Sequence, residues 1–303
     1  MSFSNSPLRY PGGKQILSRV LSELIRVNGR QGGIYAEPYA GGAGAALTLL
    51  YGEHIERIMI NDADLSVYAF WKTLLHHTDD FLAMLEQVPL NDHEWCRQRD
   101  IYRRRHRRRL KELGFATFYL NRCNRSGIIA TGGPIGGRKQ TGKWKIDARF
   151  HRRELARRVE RISLYRERIS ISNVDAVEFL RSYVSTGQLA AKTFVYLDPP
   201  YYCKGRDLYL NYYRPEDHAK LAAQMRRHRR FKWVMSYDNV PQIRALYTRC
   251  RLIPFDLNYT ASRRRVGSEL LIAPMDLTFP SKWGRTLPPE LITSAARVDS
   301  NAA

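Results

Sequence analysis

The residues Asp198, Pro199, Pro200 and Tyr201 follow the apolar segment TFVYL and carry the strongest chemical signal in the sequence. Two consecutive prolines end a strand abruptly and stiffen the backbone at the edge of a sheet. The carboxylate and the carbonyl between the prolines can both accept hydrogen bonds from one exocyclic amino group, and the tyrosine ring can stack on a planar base. These residues therefore indicate chemistry on the amino group of a base.

A second candidate site lies in the segment YAEPYAGGAGAAL, residues 35–47. Its glycines permit a tight turn between a strand and a helix, and the first helical turn offers backbone N–H groups to a ligand. Asp62 ends the next strand about 20 residues after Gly42, at the position where an acidic residue typically binds ribose hydroxyls. This combination favours a nucleoside cofactor. The alternative for Asp62 is a cap on the helix that begins near Leu65.

Alternating strands and helices must position these residues. Strands are predicted at Gly33–Glu37, Arg57–Asp62, Ile169–Asn173, Thr193–Asp198, Lys232–Tyr237, Leu252–Asn258 and Glu269–Pro274. Several are continuous apolar runs, as expected of a sheet that is covered on both faces. Helices are predicted at Gly44–Gly52, Leu65–His76, Pro215–His228 and Val240–Tyr247. This pattern predicts an α/β fold.

The stretch 78–168 differs from its surroundings because no strand of the main sheet is evident in it. It contains predicted helices, a Gly-rich hairpin or loop at Gly132–Lys145 and a further basic helix, which together predict a mainly helical inserted domain. Residues 1–77 and 169–281 would then form the catalytic domain. Residues 282–303 are polar with little apolar periodicity, and we expect a flexible tail there.

The charge of the chain points to a polyanionic partner. Its 303 residues include 50 Lys and Arg against 29 Asp and Glu, a net charge of +21. Of the cations 39 are Arg, whose planar guanidinium suits phosphates and guanine edges. Nucleic acid is the simplest partner, although composition alone also allows an anionic lipid surface. The run Arg103–Arg109 cannot face one side of a helix, so part of it must contact solvent or phosphate.

Other function classes are disfavoured. No apolar run is long enough to cross a bilayer, and the first residues contain no signal peptide, so we expect neither a membrane partner nor export. The cysteines Cys96, Cys123, Cys203 and Cys250 stand far apart and lack metal-ligand spacing. We therefore expect no metal site, and free thiols in a reducing cytoplasm.

Several separated motifs occur in one order along the chain: PGGK, EPYAGGAG, ND and DPPY. Further pieces of the same kind are Pro7–Lys14, Tyr119–Gly127, and SRRR followed by ELLI within residues 262–272. In this order they resemble the Dam-type (D12 class) DNA adenine N6-methyltransferases over most of the chain. The resemblance implies a Rossmann-like S-adenosylmethionine-dependent methyltransferase sheet, with an inserted domain that recognises the DNA target.

The resemblance further implies methyl transfer from S-adenosylmethionine to N6 of adenine in double-stranded DNA. The base would flip out of the duplex into a pocket formed by the catalytic residues Asp198, Pro199, Pro200 and Tyr201. The cofactor-binding residues that it implies are Tyr10, Lys14, Glu37, Pro38, Gly41, Gly42, Gly44, Asp62, Asp175 and Asp198. The residues expected to contact DNA are Arg104, Arg108, Arg122, Asn124, Arg125, Arg138, Lys139 and Gln140.

Three alternatives stay open at the level of the sequence. The same tetrapeptide suits N4-methylation of cytosine, a chain without catalysis would be a DNA-binding regulator, and RNA adenine is a further substrate. Residues 127–150 depart from the family members that read GATC, so the recognised DNA sequence is open. We also expect a cytoplasmic, nucleoid-associated monomer, for which a cognate endonuclease of a restriction–modification pair is a compatible partner.

Overall fold

Seven strands form one sheet in the part of the chain that the structure describes. The computed structural model describes residues 5–9, 17–185, 187–203, 213–228, 230–259, 265–283 and 287–288. The strands are β1 Ile34–Glu37, β2 Arg57–Asn61, β3 Ile169–Ser172, β4 Thr193–Leu197, β5 Lys232–Asp238, β6 Cys250–Tyr259 and β7 Arg265–Pro274. Their order across the sheet is β3-β2-β1-β4-β5-β7-β6. The α/β prediction and all seven predicted strands are confirmed.

The direction of the strands divides the sheet into two parts. The strands β1 to β5 are parallel, whereas β7 runs antiparallel to both β5 and β6. Every residue of β1 and β4 is buried, as expected at the centre of a sheet covered on both faces. The last two strands begin earlier than predicted because their antiparallel ladder continues from Cys250↔Pro274 to Tyr259↔Arg265.

The described part of the chain contains ten α-helices, several of which begin at a capping side chain or at a proline. They are α1 Ser18–Val27, α2 Gly44–Tyr51, α3 Leu65–His76, α4 Thr78–Gln87, α5 Asp92–Arg104, α6 Leu110–Cys123, α7 Arg152–Leu164, α8 Ala176–Phe179, α9 Pro215–Arg227 and α10 Pro241–Leu246. Asn91 Oδ1 accepts a hydrogen bond from Glu94 N (2.8 Å) at the start of α5. Proline occupies the first turn of α9 and of α10, where its missing N–H costs nothing. The four predicted helices are confirmed.

The region 78–168 packs directly on α3 and shares its hydrophobic core. The Phe70 ring of α3 lies 5.9 Å from Phe81 of α4 and 6.3 Å from Phe118 of α6. Phe118 in turn lies 5.4 Å from Phe150. Among the described residues this region adds no strand to the sheet, and the Gly-rich segment contains one isolated bridge between Asn124 and Pro134. Its helical content agrees with the sequence, and its role as a separate recognition domain stays a prediction.

The flexible tail expected at residues 282–303 stays a prediction, and two side chains near its start are buried. Trp283 is buried with its ring 6.0 Å from Phe279, and Leu287 is buried as well. Two apolar residues that are separated by a polar stretch give no periodic pattern. The sequence therefore did not predict that these side chains are buried. Residues 289–303 of the expected tail lie outside the described residues. In the described part of the chain, no helix has the length and apolar character needed to span a membrane.

Candidate active site and nucleic-acid interface

The two candidate sites of the sequence meet at the centre of the sheet. β1 and β4 are neighbours there, at the point where the strand order changes direction. In open α/β sheets, ligands bind in the crevice outside the carboxyl ends of the strands at such a switch point. The Gly-rich turn follows β1 and Asp198 follows β4, so both reach the same edge of the sheet. Together they form one candidate active site.

The turn between β1 and α2 is held in an unusual backbone conformation. Gly41 and Ala43 both have φ 46°, in the left-handed region. Left-handed angles are costly for a residue with a side chain and cluster at ligand sites. Trp71 of α3 donates from Nε1 to the Gly41 carbonyl (2.9 Å), and the Asn61 carbonyl accepts from Ala40 N (2.8 Å). The protein itself therefore fixes the turn.

The other predicted cofactor residues of this turn lie where the sequence placed them. Pro38 and Gly42 are buried, as is Gly41, and Gly44 is half-buried at the first position of α2. Ala43 precedes α2 without a side-chain cap. The first turn of α2 therefore has backbone N–H groups that no Ser, Thr, Asp or Asn side chain at the cap position satisfies.

Asp62 directly follows β2 and lies beside the turn. Its Oδ2 accepts from Gly41 N (2.9 Å) and its Oδ1 from Asp64 N (2.9 Å). Burial, followed by the neighbouring charge of Asp64, raises the pKa of Asp62 to about 7. The cap of α3 is Asp64, whose Oδ1 accepts from Ser66 N (2.8 Å). The capping alternative for Asp62 is therefore wrong, and each of its oxygens retains capacity for another donor.

The buried side chain of Asn61 holds the backbone at the same edge of the sheet in place. Its Nδ2 donates to the carbonyls of Pro38 (3.0 Å) and Val174 (3.0 Å). Its Oδ1 accepts from Ser172 Oγ (2.8 Å) and Val174 N (3.1 Å). This buried side chain ties the end of β1 to the end of β3. The sequence alone did not identify Asn61 as a positioning residue. The pattern that could have identified it is a polar residue at the end of an apolar strand.

Glu37 ends β1 and is buried. Its carboxyl accepts from the Tyr35 hydroxyl (2.9 Å) and from the backbone N–H of Ala46 in α2. Burial raises the pKa of Glu37 to about 8, and the charge of Asp198 acts in the same direction. Glu37 therefore joins α2 to β1 and carries little negative charge near about pH 7.

The tetrapeptide after β4 is anchored to its neighbouring strands. Asp198 is half-buried, and its Oδ1 accepts from Ser236 Oγ of β5 (2.8 Å). Ser236 Oγ lies 2.8 Å from the Tyr196 hydroxyl. Pro199, Pro200 and Tyr201 are buried, and the Tyr201 hydroxyl donates to Glu269 of β7. The strands β5 and β7, which lie on the same side of β4, therefore orient this segment.

Asp175 lies at the end of β3, where its side chain caps a helix. Its Oδ1 accepts from Val177 N (2.8 Å) at the start of α8, and the residue is exposed. The predicted contact of Asp175 with the adenine of a cofactor stays a prediction. Tyr10 and Lys14, which the resemblance assigns to the cofactor, lie outside the described residues.

Two residues expected at the DNA are buried within the protein. Arg122 donates from Nε to the Pro7 carbonyl (2.6 Å). Asn124 accepts from Trp95 Nε1 (2.7 Å) and donates to the Ile128 carbonyl (2.7 Å). These side chains hold the segment around residue 125 in place and do not face solvent. In this structure they are positioning residues, whereas their neighbour Arg125 is exposed.

The three residues predicted to read bases in the Gly-rich segment have different environments. Arg138 pairs with Asp92, with an Nη2 to Oδ2 distance of 2.9 Å. Gln140 donates to the Ile135 carbonyl (2.8 Å) and accepts from Ile146 N (2.8 Å), so its amide holds the loop together. Lys139 is exposed. Gln140 is therefore a positioning residue of the loop, and Lys139 projects from the surface.

The run Arg103–Arg109 is divided by the end of α5. Arg105 has φ 45° and turns back into the protein, where its Nη2 contacts Asp64 Oδ1 (3.0 Å) and Oδ2 (3.2 Å). Arg104 and Arg108 are exposed, as predicted for residues that contact solvent or phosphate. One arginine of the run thus belongs to the network around Asp62, and the others form a cationic surface beside it.

No metal centre is evident in the residues that the structure describes. They contain no group of three His, Cys, Asp or Glu side chains that could hold a metal ion. Cys96, Cys123, Cys203 and Cys250 form no disulfide bond.

Comparison with known families gives one match. A family model described as D12 class N6 adenine-specific DNA methyltransferase matches residues 10–261, well over half of the chain. The match includes the turn after β1, Asp62 and the tetrapeptide after β4. A search of curated proteins found no match.

Proposed function

Since the chain belongs to the D12 class of N6 adenine-specific DNA methyltransferases, we propose that methyl transfer takes place at the switch point between β1 and β4. The protein is an enzyme that methylates N6 of adenine in DNA, and its family uses S-adenosylmethionine as the methyl donor. One observation carries the location. The fold brings the fixed Gly-rich turn, Asp62 and the Asp198–Tyr201 tetrapeptide to one edge of the sheet.

The residues of this edge fit S-adenosylmethionine. Asp62 can accept hydrogen bonds from ribose hydroxyls because its two existing bonds to backbone N–H groups leave acceptor capacity on both oxygens. The left-handed turn at Gly41 and Ala43 allows a ligand to approach the backbone closely. Asp175, which follows β3 and caps α8, would contact the adenine of the cofactor. When bound, the cofactor supplies an electrophilic methyl group on a positively charged sulfur.

The tetrapeptide activates the amino group of the target adenine. This nitrogen is a weak nucleophile because its lone pair is delocalised into the ring. Hydrogen bonds from the amino group to the Asp198 carboxylate and the Pro199 carbonyl favour a pyramidal nitrogen whose lone pair points at the methyl group. Ser236 keeps the carboxylate oriented through its 2.8 Å bond. Catalysis then rests on positioning and on the electrostatics of a dry site.

The target base must leave the duplex to reach this edge. We propose that double-stranded DNA is the substrate and that the flipped adenine stacks on the Tyr201 ring. Base stacking on an aromatic side chain stabilises binding by about 1–3 kcal/mol. The exposed residues Arg104, Arg108, Arg125 and Lys139 would contact phosphates. Arg138 would exchange its contact with Asp92 for DNA, and the region 78–168 would recognise the target sequence.

The experiment that tests this function is adenine methylation by the Asp198→Ala variant. The wild-type chain, expressed in a methylation-deficient host, is expected to place N6-methyladenine in one short sequence of plasmid DNA. Asp198→Ala should reduce methylation by at least about 1,000-fold, because the amino group loses its charged acceptor, while DNA binding stays within about twofold. Asp256→Ala, an exposed carboxylate on β6, is the matched control.

Product analysis separates the remaining alternatives. Mass spectrometry of digested DNA distinguishes N6-methyladenine from N4-methylcytosine, and the family assignment favours adenine. Methylation by Asp198→Ala at the wild-type rate would refute the proposed site. Binding of DNA without any methylation by the wild-type chain would instead indicate a catalytically silent regulator. We further propose a cytoplasmic monomer bound to the nucleoid, and co-purification with a nuclease would identify a cognate restriction endonuclease.

A further inference from the structure

Two carboxylates on neighbouring strands contact the chain immediately after the tetrapeptide. Asp238 ends β5 and Glu269 lies on β7, and the two residues are register partners in the antiparallel ladder. Asp238 accepts from Tyr202 N at Oδ1 (3.0 Å) and from Cys203 N at Oδ2 (2.9 Å). Glu269, which is 2% exposed, accepts from the Tyr201 hydroxyl. Three consecutive residues after Pro200 are thus held by this carboxylate pair.

We propose that Asp238 and Glu269 are positioning residues for methyl transfer, which together fix the Tyr201 ring and the backbone behind it against the flipped base. This inference rests on the proposed function of the tetrapeptide. Neither residue touches the substrate in this arrangement. Each acts through the segment 201–203, and they do so from two strands that lie on the side of β4 away from the cofactor turn.

Asp238 sets the path of the backbone. Both of its oxygens are engaged, one with each of two successive N–H groups, so the segment cannot rotate without losing a charge-assisted hydrogen bond. The Tyr202 ring is packed as well, with its centroid 5.0 Å from the ring of His218. The residue that follows Tyr201 is therefore held through both its backbone and its side chain.

Glu269 sets the orientation of the aromatic ring. A hydrogen bond at the hydroxyl end of a tyrosine restricts rotation about both side-chain torsions. The ring face that would stack on a base is therefore held in one orientation. The Tyr201 hydroxyl meets a buried carboxylate, which is a strong acceptor at a site shielded from water. A ring fixed in this way is ready to stack before the base arrives.

The arrangement has a cost that stability alone does not explain. Like charges at directly opposite positions of an antiparallel pair are destabilising. Asp238 and Glu269 occupy such positions, and Glu269 is also buried. A pair without carboxyl groups at these positions would avoid any repulsion between two ionised side chains. Catalytic positioning accounts for two acidic side chains here, since each of them binds a donor of the segment that follows the tetrapeptide.

The test compares single and double variants at the Tyr201–Glu269 contact. Tyr201→Phe and Glu269→Leu, which both remove the hydrogen bond between the two side chains, should each lower kcat by about 10-fold, because a small displacement at the reacting centre is costly. The KM for S-adenosylmethionine and the Kd for plasmid DNA should change by less than about twofold, since neither ligand contacts Glu269. The double variant should lose no more than either single variant, because both remove one shared bond.

Asp238→Asn tests the second carboxylate independently of the Tyr201–Glu269 contact. Its control is Asp256→Asn, which makes the same substitution at an exposed position on β6. Asp238→Asn is expected to lower kcat by about 10-fold with an unchanged KM for S-adenosylmethionine. Unchanged kcat in Tyr201→Phe and Asp238→Asn, or additive losses in the double variant, would overturn the inference. The proposed function fails separately, if the wild-type chain leaves adenine unmodified or Asp198→Ala stays active.

Discussion

The edge of the sheet and the arginine-rich region 78–168 use charge in opposite ways. At the edge, the acidic residues Asp62 and Asp198 are half-buried, and each accepts hydrogen bonds from the protein itself. In the region 78–168, cations such as Arg104 and Arg108 are exposed to solvent. Charges that orient a reaction have to be fixed beforehand, whereas charges that bind a polyanion have to stay accessible.

Arg105 shows how the two regions meet. It belongs by sequence to the arginine run, but its guanidinium binds the Asp64 carboxylate, which in turn lies beside Asp62. Burial and contacts, rather than position in the sequence, therefore decide whether an arginine belongs to the edge of the sheet or to the exposed cationic region. Neighbouring arginines of the run differ in this respect. The predictions below test this division at individual side chains.

Asp62→Ala is expected to give the largest effect. Loss of the charged acceptor for the ribose hydroxyls should weaken S-adenosylmethionine binding by about 100-fold, or about 2.7 kcal/mol. Isothermal titration calorimetry on the purified protein measures this directly. Asp79→Ala, an exposed carboxylate in the first turn of α4, is the control and should bind as wild type. Wild-type affinity in Asp62→Ala would remove this residue from the site.

The double variant Arg104→Ala/Arg108→Ala is expected to weaken DNA binding by about tenfold near 0.1 M salt, because two phosphate contacts are lost. If the wild type neutralises about six phosphates, its log K should fall against log salt with a slope near −5, and the variant slope should be less steep by about two. S-adenosylmethionine affinity should not change. Arg26→Ala on α1 is the control outside the region. Equal slopes for variant and wild type would contradict the assignment.

Cofactor binding should depend on pH through Asp62, whose pKa is raised to about 7 by burial and by Asp64. The ionised carboxylate is the better acceptor, so affinity should fall by about fivefold between about pH 8 and about pH 6. Titration calorimetry across this range measures the change. The Asp62→Asn variant should show a flat profile, and a bend near pH 7 that persists in it would assign the effect to another group.

The same pKa shifts predict the stability of the protein. A carboxyl whose pKa is raised on folding contributes stability that is complete below its unfolded pKa, about 4, and is lost as pH rises through the folded pKa. For Asp62 and Glu37, with folded pKa values of about 7 and about 8, the loss should occur between about pH 4 and about pH 8. Urea unfolding of the wild type and of Asp62→Asn would measure this contribution, which the variant should partly lack.

Arg105→Ala is expected to give the smallest change in binding, and this change should be confined to the cofactor. Without its guanidinium, the Asp64 charge should raise the pKa of Asp62 further and weaken S-adenosylmethionine binding by about threefold near pH 7. Arg108→Ala, three residues away, should leave cofactor affinity unchanged and weaken DNA binding instead. Calorimetry and a DNA-binding assay on both variants test this. The same pattern in both variants would show that the arginine run acts as one unit.

The sequence by itself determined the strands, the segments that carry the two candidate sites, and the family. Apolar runs, the Gly-rich turn and the tetrapeptide at Asp198 are local patterns, and each appears at its predicted place. The sequence placed both sites after strands, whereas the strand order of the sheet made β1 and β4 neighbours and so brought both sites to the switch point.

Only the tertiary structure decided which polar side chains face inward. It assigned the helix cap to Asp64, buried Arg122 and Asn124, and placed Asp238 opposite Glu269. The environment of a polar residue depends on the elements that pack on it from distant parts of the chain. Burial and long-range hydrogen bonds leave no periodic pattern in the sequence, and the roles of these residues therefore became visible only in three dimensions.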